Sequence, residues 1–288
     1  MFNPELNAAV EKLASRMANV QDADLNIPWH WKGHEEGVRF AFFVTQLELR
    51  QLAVKLASER SAASHFSPIT PAQHILAQYH SAFMDLQAAL VGLSAKKSTI
   101  APSKKEWSVR TIVAHVLGAD IGFAAVIRYA LENHRAGSWM PHPIPKREYP
   151  RLNGLSEKKY AALMDATLPK LIAYHRKLHP KILREFAGIT KGELALPAAF
   201  WEETRFHIGY RLHRFEVHMR QHTIQLDKTL ASIGCGPNEA KRLIRMLYSA
   251  LAEVNGILIS PEERKNQESI ELARTIEART KEISKITH

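Results

Sequence analysis

The chain has 288 residues, 45% hydrophobic and 24% charged, with 13 Gly and 14 Pro, the composition of a folded globular protein able to bury a large core. No run approaches the ~20 apolar residues of a membrane span, and charges interrupt the first thirty residues, so neither a spanning segment nor a signal peptide is expected. Cys235 is the single cysteine, which excludes an internal disulfide and fits a reducing, cytoplasmic setting. The net charge of +10, from 39 Lys+Arg against 29 Asp+Glu, raises the question of nucleic acid. The basic residues are scattered, at Lys96–Lys97, Lys104–Lys105, Arg211, Arg214, Arg220 and Lys241–Arg242–Arg245, without interleaved exposed aromatics. An ordinary basic surface is the preferred reading over a DNA-binding one, with acidic small molecules or thiols as other beneficiaries of the field.

Residues 1–69 read as an N-terminal helical extension. A loop through IPWHWKG leads into one helix with Phe40, Phe43, Val44 and Leu47 on a face. From Thr70, an N-cap followed by Pro71, the positions Leu76, Tyr79, Phe83, Leu86, Leu90 and Leu93 repeat at the spacing of a bundle helix. The run from Gly92 to Lys105 breaks it. A second helix begins at Ser108, with Thr111 where a capping box would want Glu, and carries Ile112, Val113, Val116, Leu117, Phe123 and Ile127 towards Glu132. The Pro-rich stretch 134–155 reads as a loop. A third helix starts at the cap Ser156, and Pro169 and Pro180 should kink or divide it. Residues from about Glu202 to Ile233 read as one long helix stopped by Gly234 and Gly236. A further amphipathic helix follows Pro237, on Ala240, Leu243, Ile244, Leu247, Tyr248, Leu251 and Ala252. Strand-like alternation is absent. The expected class is all-α, with a core over 70–256 and a charged tail, 257–288, that carries Ile270, Leu272, Ile276 and Ile283 and reads as a helix on the body or a frayed end.

Among 15 histidines, position separates the candidates. His218 and His222 stand four apart on a long helix, so both rings share one face and can share one metal ion, with Gln225 on the same stripe. Two ligands make a weak site, and His115, alone in the apolar stretch Ile112–Leu117, is the best third. Burying that ring without a partner would cost about 1–3 kcal/mol, so either a metal or a hydrogen bond must satisfy it. On spacing alone, a hydrogen-bonded core histidine is the commoner case. His30 and His34, in PWHWKGHEE, could cover a site mouth or simply pack; His80, His207 and His213 read as structural or solvated. Cys235, in a Gly-Cys-Gly turn, reads as an ordinary flexible thiol.

The segment EWSVRTIVAHVLGAD resembles the second-helix signature of the DinB/YfiT-like superfamily, an aromatic-Ser start with a histidine eight residues after the Trp. HMRQHTIQLDKTL resembles that superfamily's H-x3-H-x2-Q pattern, and the resemblance covers about residues 70–256. It implies an up-down-up-down four-helix bundle with added N- and C-terminal helices. It also implies a divalent ion, zinc or nickel, with open or water-filled positions, held by His115, His218 and His222, with Gln225 supporting the ligands from behind. A homodimer is a family-level expectation. The related H-x3-H-x-E pattern of iron sulfoxide synthases does not fit, because position 224 is Ile.

Catalytic residues are not assigned at this level. One reading is a metal-dependent hydrolase or low-molecular-weight-thiol transferase acting on a small molecule. In that reading the 134–154 loop shapes the pocket, and Arg110 or Arg214 holds an anionic substrate. The alternative is a stress-related binding or dimerisation protein without turnover, whose metal is structural. Nucleic-acid binding is the least favoured.

Overall fold

The computed structural model describes residues 2–62, 69–138, 142–200, 206–260 and 266–287. It is mostly helical, as the periodicity predicts. Asn3 opens α1 (Pro4–Met17), its Oδ1 accepting from the Leu6 amide at 2.9 Å, and Leu6, Val10, Leu13 and Met17 line the buried face. A 3-10 turn, Asp22–Asn26, leads into an antiparallel hairpin of β1 (Pro28–Trp31) and β2 (His34–Gly37). Its two-residue turn has Lys32 at φ 47° and Gly33 at φ 83°, a pairing whose twist matches that of the strands. Gly37 admits no side chain, because a Cβ there would stand 2.7 Å from the Leu25 carbonyl oxygen.

The helices that follow are α2 (Val38–Ala62), α3 (Pro71–Ala89), α4 (Ala95–Ser98) and α5 (Val109–Arg135). Next come α6 (Tyr149–Asn153), α7 (Glu157–Met164), α8 (Leu168–Phe186) and α9 (Lys191–Leu194). A small ribbon of β3 (Pro197–Ala198) and β4 (Phe206–His207) precedes α10 (Ile208–Ser232), α11 (Glu239–Ile257) and α12 (Gln267–Ile286). Thr70 and Gln73 cap α3 reciprocally, each side chain accepting from the other's amide at 3.2 Å.

Several expectations are corrected. The N-terminal region holds two helices, and α2 does not bury the face read from its sequence. Phe43 and Leu47 are exposed, while Ala41, Phe42, Thr45 and Leu49 turn inward beside Val44. Two short ribbons interrupt the all-helical picture, because backbone pairing across a tight turn needs no long alternating run. The 134–155 stretch contains α6, which uses Pro150 in its first turn. Pro169 occupies the first turn of α8 and so divides the third helix, while Pro180 lies inside α8. The last long helix begins at Ile208, with residues 201–205 outside the described set. The tail is helical, with Ile276 and Ile283 buried. Finally, α5 is long and apolar enough to cross a membrane by length and composition alone, although 67% of its most apolar stretch is buried.

Contacts divide the chain into two compact groups. One comprises residues 1–68, 80–93 and 234–288, where α1 packs on α12 and α11, and α2 packs on α11 and α12. There the buried Arg279 donates to both Glu48 carboxylate oxygens, at 2.8 and 2.9 Å, and to Thr45 Oγ1 at 2.7 Å. That pairing satisfies a charge whose isolated burial would be costly.

The other group comprises residues 69–79 and 94–233, with α5 packed against α10, α8 and α6. Its interior holds a polar network. Tyr79 Oη donates to Asp120 Oδ2 at 2.7 Å, and His175 Nε2 lies 2.8 Å from the same oxygen, all three side chains buried. Burial first, then the neighbouring Asp120 carboxylate, pushes the Tyr79 hydroxyl well above its ordinary pKa.

Candidate metal centre

Two helices build the site. Ser108 Oγ accepts from the Thr111 amide at 3.3 Å, starting α5 so that His115 falls two turns inside it. The β3–β4 ribbon sets the start of α10, and the Ile208 amide donates to the Leu196 carbonyl at 2.8 Å. Ten and fourteen residues on, His218 and His222 sit one turn apart on the side that packs towards α5.

The three rings converge through one atom each. His218 Nε2 lies 3.2 Å from His115 Nε2 and 3.1 Å from His222 Nε2. The ligand atoms of all three histidines fall within 4.8 Å of one another, the one such cluster of three or more His, Cys, Asp or Glu residues among the described residues. Two nitrogens bound at ~2.0–2.1 Å to one tetrahedral ion stand about 3.3 Å apart, so the spacing fits a shared cation.

Proton placement agrees. Gln225 Oε1 accepts from His222 Nδ1 at 2.8 Å, which leaves neutral His222 with a bare lone pair at Nε2. A single proton shared among three converging nitrogens leaves at least one lone pair unmatched. A cation takes all three.

The surroundings favour the neutral forms of His218 and His115. Burial, then the positive forms of His222, His115 and Arg214, pushes His218 down to about 3. His115 is also held below its ordinary value, by burial first and then by His222. Trp107, just ahead of the Ser108 cap, stacks on His222 at a ring-centroid distance of 6.1 Å and leans on His115 at 4.9 Å. Phe123 presents its ring at right angles to His218, 5.6 Å away.

The expectation that His115 is buried is corrected: it is exposed, whereas His218 and His222 are buried. Its ring points out of the apolar face of α5 onto an open cleft of about 450 Å³ bordered by Trp107, Thr111 and Tyr160. Arg110 lines that cleft but is committed elsewhere, donating to the carbonyls of Ala166 and Met164 at 3.0 and 2.5 Å. Arg214 lies over the Phe123 ring at 5.6 Å, close enough for its charge to act on His218.

The family model for the DinB superfamily matches residues 78–226, just over half of the chain and a span that includes His115, His218, His222 and Gln225. The chain belongs to the DinB superfamily. Comparisons with curated proteins and with solved structures return no match.

The other described histidines of this DinB-superfamily chain lie outside the cluster. His207 caps α10 and places Nδ1 2.8 Å from the Ala195 carbonyl, and His213 is exposed. His30 and His34 are exposed on the β1–β2 hairpin. His80 is buried against Phe2, with ring centroids 4.5 Å apart, and burial pushes its pKa down to about 3. Cys235 is buried, which corrects its reading as a flexible turn thiol. Sequence reasoning missed Trp107 as a cover for the rings, although the aromatic-Ser start of the motif was the signal for it. It also missed Phe123, which no spacing rule singles out from its apolar neighbours.

Proposed function

We propose that this DinB-superfamily protein holds one divalent cation, zinc or nickel, on His115, His218 and His222. It uses that cation to act on a small molecule, by hydrolysis or by transfer of a low-molecular-weight thiol. The observation that carries the reading is the meeting of three imidazole Nε2 atoms at 3.1–3.2 Å, with His222 oriented by Gln225. When bound, such an ion supplies a Lewis acid that lowers the pKa of water or a thiol at neutral pH. Gln225 holds the proton on His222 Nδ1, and Trp107 stacks over His222 and packs against His115. Arg214 places positive charge near His218, where an anionic group of the substrate can be held.

The exposure of His115 favours an ion approachable from one side over a closed structural ion, which takes four protein ligands. The reading includes an up-down-up-down core of α3, α5, α8 and α10, a cytoplasmic setting and a homodimer.

The test is metal analysis of protein purified without an affinity tag. About one equivalent of zinc or nickel per chain is expected, lost in His218→Ala and His222→Ala and weakened in His115→Ala. Absence of stoichiometric metal, or variants that retain it, overturns the reading. Chelation that lowers the melting temperature but leaves thiol conjugation and small-molecule binding unchanged would instead mark a structural ion.

A further inference from the structure

The cleft that begins at His115 has a neighbour. A second cavity, about 300 Å³, runs along α5 past Gly122 to Tyr149 and Asn153. The two share two lining residues, Gly118 and Tyr160. Tyr160, from α7, reaches across to α5 and rests its hydroxyl on Gly118. A Cβ at position 118 would stand 2.9 Å from Tyr160 Oη and 3.3 Å from Met164 Sδ. The tyrosine therefore divides the two cavities, and it reaches its place because position 118 has no side chain.

This hydroxyl has no task in the fold. The buried Tyr79 donates to Asp120, but Tyr160 Oη makes no hydrogen bond among the described residues. Its ring is partly buried, and burial raises its pKa, so at neutral pH the group is a protonated donor facing open cleft. Gly118 follows His115 by three residues on the same side of α5, about 4.5 Å along the axis. The cleft between them is walled mainly by Trp107, Ala114, Ala119 and Met164, and its volume lies in the range that takes a small organic molecule.

We infer that Tyr160 is a substrate-contacting hydrogen-bond donor, and that the cleft takes a largely apolar molecule with an acceptor oxygen about one helical turn from its metal-binding head. The head rests on the metal reading above; the tyrosine contact does not. Gly118 is a positioning residue for the hydroxyl.

The test uses zinc-loaded full-length protein and three probes, benzyl mercaptan and its meta- and para-carboxamide derivatives, with affinities from calorimetry. The wild type is expected to bind at least one amide three- to tenfold more tightly than benzyl mercaptan, the range of one net hydrogen bond. Tyr160→Phe should bring that preference below twofold while leaving metal content and melting temperature unchanged. Gly118→Ala should reduce it in the same direction by displacing the hydroxyl. No preference in the wild type, a preference that survives Tyr160→Phe, or a lowered melting temperature in Tyr160→Phe overturns the inference. Repeating the series on zinc-free protein separates the two readings. Thiol binding that ignores zinc but keeps the Tyr160-dependent preference sinks the metal reading alone. Zinc-dependent binding without the preference sinks the Tyr160 reading alone.

Discussion

Replacing Gln225 with Leu removes the hydrogen bond at the Nδ1 side of the His222 ring, from Nδ1 to Oε1 at 2.8 Å. Glutamine and leucine have nearly equal helix propensity, and Gln225 is only partly buried, so α10 should fold as before. Among the described residues nothing else holds the proton on Nδ1, and the ring becomes free to turn or to protonate Nε2, the atom that faces His218. Outer partners of metal-bound histidines are typically worth 10–100-fold in affinity. That corresponds here to about 1.4–2.8 kcal/mol. The assay is a zinc competition titration against a chromophoric chelator at pH 7.5, with circular dichroism to verify helicity. Gln225→Glu, which keeps an acceptor at the same reach, should retain wild-type affinity or exceed it. A Gln225→Leu affinity within twofold of wild type would refute the argument that this residue orients the ligand.

Three other outcomes follow from the packing. Asp120→Ala strips the buried Tyr79 and His175 of their shared acceptor and should lower unfolding free energy by about 2–6 kcal/mol in urea titrations, about 1–3 for each group. Zinc stoichiometry should be unchanged, and a loss below about 1 kcal/mol contradicts the account. Ile276→Ala, at a fully buried position of α12, should cost about 2–5 kcal/mol, whereas a frayed tail would give no measurable change. The folded chain holds His80 and His218 at about 3, well below their ordinary 6.5. Between those values the unfolded chain binds protons that the folded one does not. Their contribution to stability is thus complete above about pH 6.5 and drains as pH falls towards 3. Urea midpoints of metal-free protein at pH 7.5, 5.5 and 4.5 should decline in that order; a flat or rising series refutes the assignment.

What could be read in advance was local. Thr70, Ser108 and Ser156 announce helix starts because a side-chain oxygen that accepts from its own first turn is a property of a few adjacent residues. The His218–His222 pairing follows from helical period alone. The helix at Pro4–Met17 went unread because charged and polar residues interrupt its apolar positions, and its cap is the single residue Asn3. The face of α2 was misread because α11 and α12 decide which side is covered, and both lie about 200 residues or more along the chain. Nothing in the sequence around Asp120 marks it as a shared acceptor; Tyr79 on α3 and His175 on α8 reach it only in the fold. The exposure of His115 was likewise a matter of which side of α5 faces the cleft, which apolar neighbours in sequence cannot reveal.

X-ray absorption at the zinc edge of reconstituted protein tests the central claim most directly. Three imidazole nitrogens at ~2.0–2.1 Å, with the remaining scattering from light oxygen ligands, is the predicted result. Fewer than two imidazoles, or a sulfur near 2.3 Å, which only Cys235 or a methionine could supply within the chain, would contradict it.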